Sequence, residues 1–200
     1  MNSELKRWTR NFADSKYFYG HDPGPVARRA VRYHRPLVAA NRTPTALDVG
    51  CGEGQDLLFL AQQGYDSTGL DFTETGIAKA RQIVEDNGQR ANLVRADILD
   101  WQSETKFDLV LAVNSLQFLG ADAPRALRRV QQLVAPGGVL GLSMFARDDE
   151  NAPPVEETIY RWTLNELQMN FTDWQPFEAA RLWQWSADGP QPFVTLIART

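Results

Sequence analysis

LDVGCGEGQD, residues Leu47 to Asp56, is the most informative stretch of the chain. An apolar strand end runs into Asp48 and then three glycines, Gly50, Gly52 and Gly54, with Glu53 between the last two. Glycines at this density let the backbone turn sharply and let a ligand approach it closely. A dinucleotide fingerprint, G-x-G-x-x-G, needs its third glycine at position 55, but Gln55 stands there and the spacing is G-x-G-x-G. Asp48 and Glu53 would also repel the pyrophosphate that a helix N-terminus attracts. Both features disfavour a nicotinamide dinucleotide.

Working outward, TALDVG predicts a first strand, and Gln55 to Gln63 a helix with Leu57, Leu58, Leu60 and Ala61 at helical spacing, ending at Gly64. YDSTGLD reads as a second strand. A helix from about Thr73 to Asn87 puts Ile77, Ala80, Ile83 and Val84 on one stripe and stops at Gly88, before a third strand, ANLVRAD. FDLVLAV is a fourth strand. Asp122 and Pro124 open a helix in which Leu127, Val130 and Val134 recur, and VLGLSMF follows APGG as a fifth strand. This alternation of strands and helices predicts a parallel sheet with crossover helices.

Downstream, DDENAPP is a polar loop, and Thr163 with Glu166 forms the capping box T-x-x-E, with Trp162 placed to staple against the short helix TLNELQMNF. WQPFEAARLWQWS and PFVTLIART, separated by ADGP, read as an antiparallel pair closing the sheet. Upstream, PGPVARRAVRYHRPLVAAN predicts a helix broken near Pro36. Its Arg28, Arg29, Arg32 and Arg35 read as a solvated basic face, because no aromatic platform interleaves them. The chain is thus divided into an N-terminal helical flank or lid over 1–43, a core over 44–146 and a closing helix and strand pair over 147–200, all one domain.

Composition narrows the function. Of 200 residues, 43% are hydrophobic and 23% charged, and a net charge of -4 argues against a general nucleic-acid binder. One cysteine, Cys51, excludes an internal disulfide, and two histidines, His21 and His34, make a poor metal set. The N-terminal MNSELKRWTRNFAD lacks the apolar core of a signal peptide, and no run approaches a membrane span, so the expected location is cytoplasmic, without membrane or nucleic-acid partners. The expected assembly is a monomer or homodimer.

The glycine loop suits a ligand that carries positive charge and no phosphate. S-adenosylmethionine has an ammonium, a sulfonium and an adenosine. Asp71, at the end of the second strand and about 20 residues past the glycines, suits its ribose hydroxyls, and Asp97, at the end of the third, suits the adenine amine. Taken singly, Asp48 also suits a loop cap, Asp71 an N-cap and Asp97 a turn. Three acids at three successive strand ends lie along the edge where open α/β sheets bind ligands.

LDVGCGEGQD, GLD at 69–71, ADI at 96–98, FDLVLAVNSLQFL at 107–119 and LVAPGGVLGLSMF at 133–145 resemble, in order and spacing, the motifs of class I S-adenosylmethionine-dependent methyltransferases. The resemblance implies a doubly wound, Rossmann-like α/β fold: a seven-stranded, mostly parallel sheet with an antiparallel C-terminal hairpin and helices on both faces. It implies that Asp48, Gly50, Cys51 and Gly52 flank the methionine part of the cofactor, that Asp71 and Phe72 hold ribose and adenine, that Asp97 and Ile98 hold adenine, and that Asn114 faces the methyl group or methionine moiety. Cys51 is then a small loop residue, since no histidine lies near it in sequence to activate it.

KYFYG and DPGPVARR before the first strand, and the ending ELQMNFTDWQPFEAA to PFVTLIART, are similar to the tellurite-resistance methyltransferase group and its relatives acting on thiols and other small molecules. That group usually carries a His-Arg pair where this chain has Trp183, Gln184 and Trp185, so a neutral or apolar acceptor fits better than an oxyanion. Tyr17 and Tyr19 are candidates for a lid, with Gln117, Arg161 and Trp183 as further pocket lining. The resemblance implies direct in-line methyl transfer to a small acceptor; a binding protein of the same fold without turnover is the alternative.

Overall fold

The computed structural model describes residues 3–13, 17–18, 20–147, 155–156, 158–186 and 189–200, with the side chains of 155–156, 184–186 and 189 left aside. Helix α1 spans Ser3–Asn11 and α2 spans Pro25–His34, followed by a 3-10 turn at Arg35–Leu37 where Pro36 breaks the helix. The alternating region comprises β1 (Thr45–Val49), α3 (Gln55–Gln62), β2 (Asp66–Asp71), α4 (Glu74–Asp86), β3 (Asn92–Arg95), β4 (Phe107–Val113), α5 (Ala123–Gln132) and β5 (Val134–Phe145). A small pair, β6 (Val155–Glu156) and β7 (Ile159–Tyr160), precedes α6 (Leu164–Met169), β8 (Gln175–Ser186) and β9 (Gly189–Arg199).

Seven strands form one sheet in the order β3-β2-β1-β4-β5-β9-β8. The first five are parallel, while β9 runs antiparallel to β5 and β8 antiparallel to β9, as the sequence pattern predicts. Strand residues alternate between two faces. Leu47, Val49, Val110, Ala112, Leu140 and Leu142 pack with Leu127 and Val130 of α5 and Leu167 of α6, whereas Ala46, Leu109, Leu111 and Val139 pack against Val26, Ala27, Ala30 and Val31 of α2. Both faces are therefore buried, which a largely parallel sheet requires.

Two local expectations are corrected. Val134 opens β5 instead of extending α5, because its backbone pairs with Phe107 across the sheet. APGG is an excursion inside β5: pairing moves from Phe107 with Val134 to Leu109 with Val139, and Gly137 takes φ 76°. The capping box is present, with the Thr163 hydroxyl accepting from Glu166 N and the Glu166 carboxylate accepting from Thr163 N. Arg147 holds that carboxylate from the other side, donating to both of its oxygens and also to the Arg161 carbonyl.

The strand order reverses between β1 and β4, so the connections leaving them diverge to opposite faces and open a crevice at their C-terminal ends. Asp48, Asp71 and the loop after β4 meet there.

Candidate active site

The loop after β1 is held by its own backbone. Gly50 N and Cys51 N both donate to Leu70 O of β2, at 2.7 and 3.0 Å, which turns the chain back across the sheet edge. Gly50 has φ 72°, and a Cβ there would lie 2.3 Å from the Ser115 Cβ in the loop after β4. Any side chain would force those two loops apart. Gly54, with φ 90°, caps α3 and leaves room for Ala80 of α4, whose Cα would stand 2.7 Å from an added Cβ. The third glycine thus serves helix-on-helix packing, one position earlier than in a dinucleotide fingerprint.

The two carboxylates that frame the glycines have different fates. Glu53 is neutralised locally: Oε1 lies 2.7 Å from Lys79 Nζ on α4, and Oε2 accepts from Phe18 N at 2.6 Å. Asp48 is not. It is 3% exposed, and its Oδ2 is buried without a hydrogen-bond partner. Burial drives its carboxyl well above the ordinary range, and the neighbouring Asp56 and Asp71 push it further, offset in part by a hydrogen bond with the Leu57 backbone. Asp56, raised by burial, accepts from Gly24 N at 2.6 Å and so ties α2 to the loop. Three buried acids thus converge, and of their charges the Arg28 guanidinium offsets part of that on Asp56.

Asp71 is also raised by burial, although three hydrogen bonds oppose this. Its Oδ1 accepts from Thr73 N (2.8 Å) and Thr73 Oγ1 (2.6 Å), and its Oδ2 from Gly52 N (3.0 Å). A carboxylate offers about four acceptor directions, so Asp71 retains roughly one, on Oδ2, instead of the two that a ribose diol would use. Cys51 is buried, and desolvation together with Asp71 and Asp48 raises its thiol well above normal. It stays a neutral thiol, unsuited to nucleophilic attack.

These groups line a cavity of about 410 Å³, a size suited to a small organic ligand. Asp48, Gly50, Cys51, Gly52, Asp71, Phe72, Asp97, Ile98 and Asn114 all border it, so the structure brings together every residue read from the sequence as cofactor-flanking. Asp97 accepts from Leu99 N through Oδ1 in a local turn. Asn114 has φ 53°, the only positive value at a non-glycine among the described residues, and its Oδ1 is buried without a partner. Its N–H is pinned to Ser143 O of β5 at 2.7 Å, which holds the strained backbone in place.

The roof of the cavity differs from the expected lid. Glu4, Trp8 and Phe12 of the N-terminal segment line it, with Phe118 and Leu119 from the loop after β4. Trp8 stands edge-on to Phe118 at 4.7 Å and lies 5.4 Å from Phe12. Trp8 and Phe12 are one helical turn apart, an i, i+4 pair of aromatics that was the available signal for this roof. Tyr17 packs outside the cavity, its ring 4.5 Å from His21 and 5.3 Å from Lys79 Nζ; Tyr19 lies outside the described residues.

Three further pocket expectations are placed elsewhere. Gln117 is wholly buried within the protein next to Leu116, with both amide atoms unpartnered, and does not border the cavity. Arg161 lies over Phe145, and Trp183 is 59% exposed on the edge strand β8, under the Arg181 guanidinium. For Trp183 the reason is topological: β8 is the last strand of the sheet, four strands from β1. Among the described residues no group of three His, Cys, Asp or Glu side chains is arranged to hold a metal ion, and no helix is long and apolar enough to cross a membrane.

Comparison with known proteins fits this geometry. Residues 46–138 match a family model described as a methyltransferase domain. A probable S-adenosyl-L-methionine-dependent methyltransferase TehB of Haemophilus influenzae is 26% identical over 133 residues, covering 66% of this chain and 46% of that protein. A trans-aconitate 2-methyltransferase of Delftia acidovorans is 38% identical over 114 residues, covering 54% and 40%. The chain therefore spans about half the length of these curated relatives. The crystal structure of TehB from Haemophilus influenzae superposes with a TM-score of 0.75 at 19% identity, over 98% of this chain and 67% of that one, and shares the fold.

Proposed function

We propose that this chain is a class I S-adenosylmethionine-dependent methyltransferase that transfers a methyl group from S-adenosylmethionine directly to a small-molecule acceptor: a thiol, a chalcogen or another small nucleophile. One observation carries the reading. Asp48, with an unpartnered buried oxygen and two more acids beside it, lies at a cavity floored by left-handed glycines, an arrangement that asks for an organic cation lying against the backbone. Asp48 would face the ammonium, Asp71 a ribose hydroxyl, and Phe72, Asp97 and Ile98 the adenine, while Asn114 Oδ1 takes a polar group of the methionine part.

When bound, the cofactor supplies an already activated methyl carbon, so the protein needs no triad. What remains for the chain is alignment and exclusion of water. The glycine loop and Asn114 fix one side, and Trp8, Phe12 and Phe118 close the other. Holding a nucleophile in line is worth effective molarities on the order of 10⁵ M or more. The relatives' names do not choose the acceptor: they include a trans-aconitate methyltransferase, a probable thiol methyltransferase and an N-methyltransferase.

Isothermal titration calorimetry with S-adenosylhomocysteine tests the reading. Binding at micromolar affinity or tighter is expected. No heat, together with no thermal shift, would mean that the three acids are structural and would overturn it.

A further inference from the structure

Position 55, where a dinucleotide fingerprint would place its third glycine, carries a side chain that reaches back to the N-terminal segment. Gln55 opens α3 and is 9% exposed, and its Nε2 donates to the Gly20 carbonyl at 2.7 Å. The next residue, Asp56, accepts from Gly24 N at 2.6 Å. Two adjacent residues in the first turn of one helix therefore grip both ends of the segment 20–24. Glu53 Oε2 accepts from Phe18 N, and a Cβ on Gly52 would lie 3.2 Å from the Phe12 ring, so that ring rests on the Gly52 backbone. Phe12, Phe18, Gly20 and Gly24 thus meet Gly52, Glu53, Gln55 and Asp56 in the same order along both stretches. One tie would be a packing detail, but four in register join the glycine loop to the chain that passes beside it.

Asp22, Pro23 and Gly24 border the cavity, as do Gln55 and Asp56, so the gripped segment is also a wall of the site. Its stiffness is uneven. Pro23 fixes its own φ, as does Pro25 just beyond, whereas Gly20 has φ 76° and nothing within 4 Å of where a Cβ would stand, so the backbone can turn there without collision. The segment's other polar ties are weak. Arg28 Nε donates to the Pro23 carbonyl at 3.3 Å, and its guanidinium lies 3.7 Å from the Asp22 carboxylate, both in solvent, where such contacts add little.

Taking S-adenosylmethionine as the cofactor, a reading on which this step rests, we infer that segment 20–24 is a strap latched by Gln55 and Asp56, and that opening of this latch sets how fast the cofactor enters and its product leaves. A ligand seated on Gly50 to Gly52 ends where the latch begins, so the loop that holds the ligand also holds the wall shut. Gln55 and Asp56 are then positioning residues: they act on turnover through exchange of the cofactor, by keeping the strap down.

Stopped-flow tryptophan fluorescence, with Trp8 at the cavity as a reporter, measures association and dissociation of S-adenosylhomocysteine. The parent protein comes first: if it does not bind, the methyltransferase reading itself fails before the latch is in question. Gln55→Ala removes the donor to Gly20. Gly24→Pro removes the N–H given to Asp56, at a residue whose φ is already -62°, and so attacks the latch from its other side. A latch slows traffic in both directions, so both rate constants should rise, about 3- to 10-fold in Gln55→Ala and about tenfold or more in Gly24→Pro, which loses a charge-assisted bond. Kd should move less than either rate. A residue that only contacts the cofactor would instead raise the dissociation rate alone, and Kd in proportion. That pattern in both variants, or parent-like rates in both, would overturn the inference.

Discussion

Asp48→Asn isolates the charge at the centre of the site. The two side chains are nearly isosteric, so the β1 strand and the glycine loop should keep their geometry while one buried negative charge disappears. Two opposite consequences follow. Without ligand, the carboxyl is 3% exposed, has an unpartnered oxygen and is repelled by Asp56 and Asp71. Its pKa in the folded protein is raised, so the folded state binds the proton more tightly than the unfolded chain does. The stability it contributes is full below the ordinary Asp pKa and is lost as pH rises toward the folded value. At neutral pH, Asp48→Asn removes the buried charge and its repulsion by Asp56 and Asp71, and should therefore stabilise the ligand-free protein by about 1–3 kcal/mol. At about 2–4 °C per kcal/mol for a chain of this size, the melting temperature rises by several degrees, and its decline with rising pH becomes shallower.

The same change should weaken S-adenosylhomocysteine by about 1.5–3 kcal/mol, because a charge-assisted contact with the ammonium is replaced by a neutral one. Differential scanning calorimetry from pH 5 to 8 and titration calorimetry at pH 7.5 read the two effects separately. A variant both less stable and equally tight for the ligand would show that Asp48 is a satisfied structural group, and the reasoning would fail.

Gly50→Ala places a Cβ 2.3 Å from the Ser115 Cβ on a backbone with φ 72°; we expect a loss of at least about 1–3 kcal/mol of stability and of S-adenosylhomocysteine binding, and a parent-like melting curve would contradict the close approach of the two loops. His34 is buried, its Nδ1 2.8 Å from the Tyr65 hydroxyl, and burial lowers its pKa to about 4. Its folded pKa lies below its unfolded one, so stability should fall between about pH 6.5 and 4, by up to roughly 3 kcal/mol; a His34 imidazole seen by NMR to titrate near 6.5 would refute this. Trp8→Ala opens the roof while leaving the sheet intact, and should slow methyl transfer at least about tenfold while sparing the sheet's circular dichroism; unchanged turnover would remove α1 from the site.

Much of this architecture is written in local pattern. The strands around Asp48, Asp71 and Asp97, the cap at Thr163 and the breaks at Pro36 and Gly64 depend on residues within a few positions of one another, where periodicity and capping chemistry act directly, although the N-cap of α4 is Thr73 where the sequence also allowed Asp71. Parallel strands share direction, so three acids at successive strand ends must share an edge, and that inference needs no coordinates. The roof shows the opposite case. Trp8 and Phe12 were legible as a helical aromatic pair, but not their destination, because α1 reaches Phe118 across more than half the chain.

What the sequence by itself determined is the order of strands and helices, the glycine-acid loop and the edge on which ligand groups gather, since each follows from short-range chemistry and the single direction of the parallel strands. Only the tertiary structure decided which carboxylates remain uncompensated. Glu53 and Asp48 look alike in LDVGCGEGQD, but Lys79, arriving on α4 from 26 residues away, neutralises one of them, while among the described residues no cation pairs with the other and its Oδ2 stays without a hydrogen-bond partner. Charge compensation is a property of distance in space, and in a low-dielectric crevice that distance separates a structural ion pair from a binding site.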